Sequence, residues 1–392
     1  MSNNNYNLFA GFEERGNKIL NVLHEKALGH SSNKSLRKWN LSEVSELVGR
    51  TSHTIIKHIN KGHIKKPDAN SNTQRIYSME DINTIRDYFK TRPSKPKNGE
   101  AKVIAFTNFK GGVAKTTSSV HSAHYFARAG YKVLFIDADS QGSGTSSFGY
   151  APDHHFSPDE TLLPLFKNHN YDIKQLIKKT YWDGLDLIPA NLALYNVEVT
   201  APVIQSNLVK QGKIYSAHSV LANAIAKVKP LYDIVIIDCP PSMSYLNTNA
   251  LFAADGLIIP CPPELPDVAS MFQFFEMIKG TLKRYPEKTY SFVRILMTKL
   301  DGSDMSNLVT QTIRKVYTPY VMHAEMHNTQ VIKKARANMK SVYEIEVYSG
   351  SKKTLDRALH IVDAVNKEIE MLVLNSWKPI NELSKNVIEE VI

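Results

Sequence analysis

The amino-acid sequence predicts an α/β fold: a doubly wound, mostly parallel sheet preceded by a small helical domain. From residue 101 onward, short runs of aliphatic and β-branched residues show little alternation, as expected of strands covered on both faces. Helical stretches separate these runs, and strands that alternate with helices form mostly parallel sheets. A glycine-rich turn joins the first strand to the helix that follows it. We therefore expect a ligand crevice at the carboxyl ends of the strands.

Charge is unevenly distributed along the 392 residues, which carry a net charge of +10. Residues 1–100 hold 17 Lys and Arg against 10 Asp and Glu, so this quarter of the chain contributes +7. The excess indicates an acidic polymer as partner, and its position favours an N-terminal module that binds nucleic acid. The alternative is a soluble basic protein whose charges are merely solvated.

The sequence offers no signal for a membrane or for export. No apolar run approaches the roughly 18 residues of a membrane helix, and the N-terminus lacks a basic flank before an apolar stretch. Cys239 and Cys261 lie in separate apolar runs and form no C-x-x-C pair. We expect a cytoplasmic protein with two buried thiols, and neither a disulfide, a metal site nor an iron–sulfur site.

Residues 1–38 form the first predicted unit, an N-terminal helical extension. The stretch 9–28 is a candidate helix whose apolar stripe consists of Phe12, Ile19, Leu20, Leu23 and Ala27. The stripe either packs on its own domain or pairs with another chain. A two-fold partner would suit a palindromic operator.

Residues 39–90 are predicted to form a winged helix-turn-helix domain similar to the MerR type. Leu41, Val44 and Leu47 recur at helical spacing, and Gly49 ends that helix. Ser52 is the predicted cap of a second helix, which would enter the major groove. The stretch 65–78 would form a basic wing, and 78–89 a closing helix. The alternative is a small basic dimerisation domain without a DNA role.

Polar and basic side chains of this domain are the candidate DNA contacts. Hydroxyls near the start of the second helix would donate to phosphates, while Lys57 and His58 would meet base edges. The predicted DNA-binding residues of this domain are Ser52, Thr54, Lys57, His58, Lys65, Lys66 and Arg75.

Residues 91–100, TRPSKPKNGE, are predicted to be a linker because two prolines, glycine and polar residues disfavour a helix. The second domain then covers residues 101–392. Its predicted strands are KVIAFTNF, YKVLFID, GLDLIPA, YDIVIID, GLIIPCP and FVRILMT.

The turn after the first strand reads KGGVAKTT, residues 110–117, and predicts a phosphate-binding loop. Backbone N–H groups at the N-terminus of a helix surround phosphate oxygens, and Gly111 and Gly112 permit the sharp turn. Phe109 and Ala114 stand where the usual G-x-x-x-x-G-K-[ST] loop has glycine. Lys115 would reach the β- and γ-phosphates, Thr116 would bind Mg²⁺, and Thr117 would donate to the α-phosphate. The predicted nucleotide-binding segment is Lys110, Gly111, Gly112, Val113, Ala114, Lys115, Thr116 and Thr117.

Three carboxylates follow strands that should end near this loop. Asp137 and Asp139 follow one strand, and Asp238 ends another. Asp137 and Asp238 suit the shell of Mg²⁺ and its waters, while Asp139 is placed to orient an attacking water. An ATP or ADP site with Mg²⁺ is therefore predicted, and its expected activity is ATP hydrolysis to ADP and phosphate.

The deviant form K-G-G-x-x-K-[ST] resembles the Walker-type ATPases of the ParA/MinD family, which share the P-loop NTPase fold. FIDADSQGS and IIDCPPS are similar to further segments of that family. The resemblance implies that Lys110 is a signature lysine, which reaches across a homodimer to the ATP of its partner. Lys110, Lys115 and Asp139 are then the expected catalytic residues.

The resemblance also implies where the adenine binds. ILMTKLDG is similar to the strand and loop near the base in this family, so Met297, Thr298 and Lys299 are candidate contacts. The family often has a proline–arginine pair after a later strand. This chain has EMHNTQ there, with His327 and Asn328, which leaves the base contacts of that stretch unassigned.

A winged helix-turn-helix ahead of such an ATPase resembles the large ParA proteins of plasmid partition, of the SopA type. TLLPLF and ELPDVASMFQFFEMI also fit that layout. The resemblance implies an ATP-dependent dimer that coats nucleoid DNA, a ParB-type centromere-binding partner that stimulates hydrolysis, and repression of the partition operon. The alternatives are a nucleotide-responsive repressor without a segregation role, a membrane-cycling ATPase and an iron–sulfur reductase.

A second basic stretch, VIKKARANMK, carries Lys333, Lys334, Arg336 and Lys340. Residues 310–360 hold nine Lys and Arg against four Asp and Glu, a surplus of +5. We expect an ATP-dependent surface for non-specific DNA, the alternative being a solvated helix face. The tail from residue 377 would form an amphipathic helix that packs on the body, since its glutamates disfavour anionic lipid.

Overall fold

The computed structural model describes residues 4–28, 34–68, 75–168, 170–210, 218–346 and 348–378. Fifteen α-helices occur in these ranges: α1 Asn4–Leu28, α2 Leu41–Val48, α3 Ser52–Asn60, α4 Met79–Phe89, α5 Lys115–Ala129, α6 Ser143–Ser147, α7 Pro152–His155, α8 Leu163–Lys167, α9 Val197–Lys210, α10 Val220–Ala226, α11 Tyr245–Ala253, α12 Leu265–Arg284, α13 Asp304–Tyr317, α14 Gln330–Ala337 and α15 Lys352–Ser376. None of them is long and apolar enough to cross a membrane.

Within the same ranges, eight strands form one sheet in the order β3-β4-β2-β5-β1-β6-β7-β8. They are β1 Lys102–Phe106, β2 Val133–Asp137, β3 Lys178–Lys179, β4 Leu185–Ile188, β5 Ile234–Asp238, β6 Gly256–Cys261, β7 Phe292–Leu300 and β8 Met326–His327. Each pairing of these strands is parallel except that of β3 with β4. The α/β prediction is confirmed, and the six predicted strands are present.

The middle of the sheet is buried on both faces. All residues of β2, β4, β5 and β6 are buried, and helices with β-branched and aromatic side chains cover them on either side. Burial on both faces explains why these strands read as continuous apolar runs. It also leaves the strand ends as the place for polar chemistry, and there Phe106, Asp137 and Asp238 are neighbours in register.

The N-terminal helices pack against one face of this sheet domain. The Trp39 ring lies 6.4 Å from the Trp182 ring. Arg86 of α4, 1% exposed, donates to the carbonyl of Leu47 in α2 and, at 2.7 Å, to the carbonyl of Arg128 in α5. Helices α2, α3 and α4 therefore share a hydrophobic core with the sheet domain.

The segment 91–100 forms no helix, as predicted, but it is packed more closely than a free linker. Arg92 Nε donates to the carbonyl of Gly130 at 2.8 Å, and the amide of Lys95 donates to Asp233 at 2.9 Å. Helix α4 has already ended at Phe89, where Lys90 adopts the left-handed conformation, and the prolines disfavour a new helix beyond it. The proposed boundaries of the domains at 38, 90 and 100 stay predictions.

One detail of the N-terminal prediction differs from the structure, and the predicted wing is described only in part. Thr51, not Ser52, caps α3: its hydroxyl accepts from the amide of Thr54, and Ser52 is the first helical residue. Among the described residues of the predicted wing, an isolated bridge joins Tyr77 to Trp39, and the amide of Ile76 donates to the carbonyl of Asp68 at 3.1 Å. Residues 69–74 of the wing and the predicted tail helix beyond residue 378 lie outside the described ranges.

Candidate functional site

The loop 107–114 connects β1, at the centre of the sheet, to the first turn of α5. Gly112 has φ +78°, and Ala114, directly before α5, has φ +76°. The position that holds glycine in the usual loop therefore keeps the left-handed conformation although its residue is alanine. A non-glycine residue in this conformation costs about 1–2 kcal/mol, a strain that accumulates at functional sites.

Two side chains from outside the motif hold this loop in place. Asn108 donates to the carbonyl of Pro260 at 2.8 Å and accepts from the amide of Lys110 at 3.1 Å. Thr298 Oγ1 donates to the carbonyl of Val113 at 2.9 Å. Sequence reasoning missed Asn108, because a single asparagine beside a glycine turn carries no spacing signal.

Lys115 lies inside the loop with its side chain mostly covered. Its ammonium donates to the carbonyl of Lys110 at 2.8 Å. Burial lowers the pKa of Lys115, and the carboxylates of Asp238 and Asp139 oppose this effect. When a phosphate enters the loop, the Lys115 ammonium can donate to phosphate oxygens in place of the Lys110 carbonyl.

Asp137 is fully buried and is fixed by short helix α6. Its Oδ2 accepts from the amide of Thr145 at 2.7 Å and from the Thr145 hydroxyl at 2.8 Å. Gly144 makes this approach possible, since a Cβ there would stand 2.9 Å from the same oxygen. Burial raises the pKa of Asp137. Thr145 and Gly144 therefore belong to the site, although no sequence pattern predicts a role for either residue.

Asp238 is the residue that most clearly indicates a cation site. Its carboxylate is fully buried, and neither oxygen makes a well-formed hydrogen bond among the described residues, although the Thr116 hydroxyl is near. Burial and the neighbouring charge of Asp137 raise the pKa of Asp238, while the nearby Thr116 hydroxyl opposes the effect. An unpaired buried carboxylate is costly unless it meets a cation, and oxygen donors in this arrangement fit Mg²⁺.

Asp139 lies between these groups. Its Oδ1 accepts from the amide of Gln141 at 3.0 Å, which fixes the carboxyl, and burial raises its pKa. The predicted residues Lys115, Thr116, Asp137, Asp139 and Asp238 are thus brought together at the carboxyl end of β1, β2 and β5.

Lys110 differs from Lys115 because its side chain is exposed. Its charge acts on Asp267 at the start of α12, together with that of Lys299. Gly111 and Gly112 beside it are also exposed. Lys110, the predicted signature lysine, therefore lies at the surface of the phosphate loop.

Two of the three candidate adenine contacts, Met297 and Thr298, are buried in this conformation, whereas Lys299 is exposed. Met297 belongs to the apolar core, and the Thr298 hydroxyl already donates to the carbonyl of Val113. The amide of Asn328 donates to the carbonyl of Leu300 at 2.9 Å, which ties the EMHNTQ stretch to the end of β7. Contact between these residues and a base stays a prediction.

The candidate DNA contacts of the N-terminal domain lie mostly on the surface. Lys57, Lys65 and Lys66 are exposed, whereas Ser52, Thr54 and Arg75 are partly covered. The hydroxyls of Thr51 and Thr54 are 2.9 Å apart, and Arg75 donates to Asn60 at 3.3 Å. His58 does not point freely outward, because its ring contacts His63 and Tyr88.

Helix α14 presents the second basic surface. Lys333, Lys334, Arg336 and Lys340 lie on the outer side, while Val331, Ile332 and Ala335 pack inward. The Lys334 ammonium lies 5.9 Å from the centre of the Tyr348 ring. The basic side chains of α14, and that of Lys340 beyond its end, are thus all exposed to solvent.

Fold and site together define a P-loop ATPase class with a deviant phosphate loop. A family model described as an AAA domain matches residues 101–289. SopA from Escherichia coli K12 is 34% identical over 88% of this chain and 91% of its own length. A protein provisionally described as replication protein A, from Sinorhizobium fredii, is 31% identical over 92% of both chains. A solved structure described as a partition protein covers 94% of this chain and 98% of its own, with a TM-score of 0.65 at 19% identity.

The chain belongs to the ParA family of plasmid partition ATPases, the family of SopA. The match to SopA spans 88% of this chain, which is more than the sheet domain alone, so it extends into the N-terminal part.

Proposed function

We propose that this protein binds ATP at the loop 110–117 and hydrolyses it in a Mg²⁺-dependent reaction. The observation that carries the proposal is the buried, unpartnered carboxylate of Asp238 beside the loop. Thr116 would bind Mg²⁺ directly, and Asp137 and Asp238 would hold it through water. When bound, the ion would neutralise charge on the phosphates. Lys115 orients the phosphates, and Asp139 orients the attacking water.

The proposed active form is a homodimer that encloses two nucleotides. The exposed side chain of Lys110 supports this arrangement, because an ammonium on the surface can reach a neighbouring molecule. A second cation near the γ-phosphate offsets the charge that develops during transfer. Dimer formation then depends on the bound nucleotide.

Two DNA-binding surfaces complete the proposal. The dimer binds nucleoid DNA without sequence preference through α14, where exposed cations meet phosphates. Helix α3 and its flanking cations bind the operator of the partition genes and repress them. A ParB-type centromere-binding partner stimulates hydrolysis and release, and cycles of this kind separate plasmid copies.

Sedimentation velocity tests the central claim. The wild-type protein should be a dimer with Mg²⁺ and a non-hydrolysable ATP analogue, and should dissociate with ADP. Lys110→Ala should bind the analogue by calorimetry but remain monomeric, whereas Lys115→Ala should lose binding. Asp139→Ala should form the dimer without releasing phosphate.

Three outcomes would contradict the proposal. They are a monomer saturated with Mg²⁺ and ATP, a dimer of equal strength without nucleotide, and normal phosphate release by Asp139→Ala. Binding of ATP without any turnover, with or without DNA and partner, would instead favour a repressor that uses nucleotide as a signal.

A further inference from the structure

Three potential ligand atoms meet at the end of α3, far in sequence from the phosphate loop. His58 Nδ1 lies 3.3 Å from His63 Nδ1 and 2.7 Å from Tyr88 Oη. Tyr88 Oη lies 3.2 Å from His63 Nδ1. The three atoms form a closed triangle, and the single phenol proton can serve only one imidazole at a time.

The chain reversal after α3 creates this arrangement. Gly62 has φ +73°, a conformation that favours glycine, and the amide of His63 donates to the carbonyl of His58 at 3.0 Å. This turn places two imidazoles, five residues apart, side by side. Tyr88 comes from α4, and Phe89 supports the His58 ring edge-on at 5.3 Å.

We propose that His58, His63 and Tyr88 bind one transition-metal ion of the Zn²⁺ class. Nitrogen ligands about 2.0–2.1 Å from a tetrahedral Zn²⁺ lie about 3.3–3.4 Å from each other. Two edges of the observed triangle, 3.3 Å and 3.2 Å, already have this length. Only the hydrogen-bonded edge between His58 and Tyr88 must open, by roughly half an ångström.

The donor types favour a borderline metal over the Mg²⁺ of the nucleotide site. Imidazole and phenolate suit Zn²⁺, Ni²⁺ or Cu²⁺, whereas Mg²⁺ prefers carboxylate and water. Among the described residues, no group of three His, Cys, Asp or Glu side chains converges on a metal position, so tyrosine supplies the third ligand here. Solvent at this exposed surface supplies the fourth.

Metal binding at the cluster requires neutral imidazoles and a deprotonated phenol. Each imidazole would carry its proton on Nε2 and use the Nδ1 lone pair as ligand. The phenol of Tyr88 loses its proton to solvent as the metal–oxygen bond forms, so one proton is released per ion.

The bound ion would join α3 directly to α4. His58 lies in α3, His63 lies in the turn that follows α3, and Tyr88 lies near the end of α4. The His58 side chain would then be held at the protein surface by metal, and would not be available for a base edge. His58 would thus be a metal ligand, and not the contact to a base edge that its position in α3 predicts.

Titration of the full-length, chelator-treated protein with Co²⁺ tests the site, with Mg²⁺ in excess and no nucleotide present. We expect one Co²⁺ per chain with the intense visible absorption of tetrahedral cobalt, displaced by Zn²⁺. His58→Ala and His63→Ala should each weaken Zn²⁺ binding by more than about 100-fold, beyond the 10–100-fold that changes around a ligand cost. Tyr88→Phe should alter the Co²⁺ spectrum and abolish the released proton.

His53→Ala is the matched control, since His53 is exposed on the same helix and outside the cluster. It should bind Zn²⁺ as the wild type does. The proposal is overturned if the wild type binds no stoichiometric Co²⁺. It is equally overturned if the His58 and His63 variants, folded by circular dichroism, retain wild-type affinity, because the ion would then be held elsewhere.

Discussion

Lys34 and Glu344 form an ion pair of 2.8 Å in which the side chains are only 4% and 2% exposed. Lys34 also donates to the carbonyls of Ser147, at 2.7 Å, and Met339. Ser147 ends α6, the helix that holds Asp137, and Met339 follows the basic helix α14. One lysine from the segment before α2 thus bridges the nucleotide site and the second basic surface.

The first prediction is that Lys34→Met destabilises the protein by about 3–5 kcal/mol, because it leaves a buried carboxylate without its cation. Burial alone would raise the pKa of Glu344, but the Lys34 ammonium lowers it, so the carboxylate is charged at neutral pH. Urea unfolding followed by tryptophan fluorescence measures the effect.

The matched control is Lys178→Met, which breaks a 2.7 Å pair with Glu160 whose side chains are 29% and 37% exposed. A pair exposed to this degree contributes at most about 1 kcal/mol. The double variant Lys34→Met/Glu344→Gln should recover part of the stability, since no unpaired charge remains. Equal destabilisation by Lys34→Met and Lys178→Met would contradict the prediction.

The sequence predicted those parts of the site that depend on local pattern. Strand β1, the glycine turn and α5 follow each other along the chain, and strand-terminal acids such as Asp137 and Asp238 are visible as the last residue of an apolar run. The contacts that complete the site join residues far apart: Thr298 binds Val113, and Lys34 binds Glu344. No spacing rule connects such pairs, because only the packed fold brings them together.

The second prediction concerns Asp238 without nucleotide. Its raised pKa means that the folded state holds this proton more tightly than the unfolded state, whose carboxyl has a pKa of about 3.9. The contribution of Asp238 to stability therefore falls as pH rises above about 4. Asp238→Asn removes this ionisation, so the variant should gain stability relative to the wild type as the pH rises from about 4 to 7 in the nucleotide-free protein.

Thermal unfolding at a series of pH values measures this difference, which should grow from acid to neutral pH. The same variant should lose the increase in melting temperature that Mg²⁺ and ATP give the wild type. Asp233→Asn is the control, because the Asp233 carboxylate accepts from the amides of Lys95 and Lys132 and its removal should destabilise. Destabilisation by Asp238→Asn at pH 7 would mean that the carboxylate is already paired.

The third prediction is that Ala114→Gly stabilises the protein by about 0.5–1 kcal/mol. Glycine removes the cost of the left-handed conformation at φ +76°, and this gain exceeds the greater flexibility of glycine in the unfolded chain. Urea midpoints measure the change. Ala129→Gly, at the end of α5, should instead destabilise, by up to about 1 kcal/mol. If Ala114→Gly lowered the free energy of unfolding as Ala129→Gly does, Ala114 would not be strained.

The fourth prediction separates a DNA-binding surface on α14 from a merely solvated helix. Lys333 and Lys334 are exposed and point away from the core, so both ammonium groups can meet phosphates. Removing one ammonium that binds a phosphate should reduce the slope of log affinity against log salt by about 0.9. Lys333→Ala/Lys334→Ala should therefore weaken binding to random duplex DNA in the presence of ATP and flatten this slope by up to about 2.

Fluorescence anisotropy between about 50 and 200 mM salt, the range over which phosphate binding weakens markedly, measures the slope. The control is Lys279→Ala/Lys283→Ala, which removes the same charge from α12. General attraction between a basic protein and DNA would make the two double variants equal, because it depends on net charge alone. Direct binding of phosphates by α14 flattens the slope only in the first variant, since only there do the removed ammonium groups displace counterions from DNA.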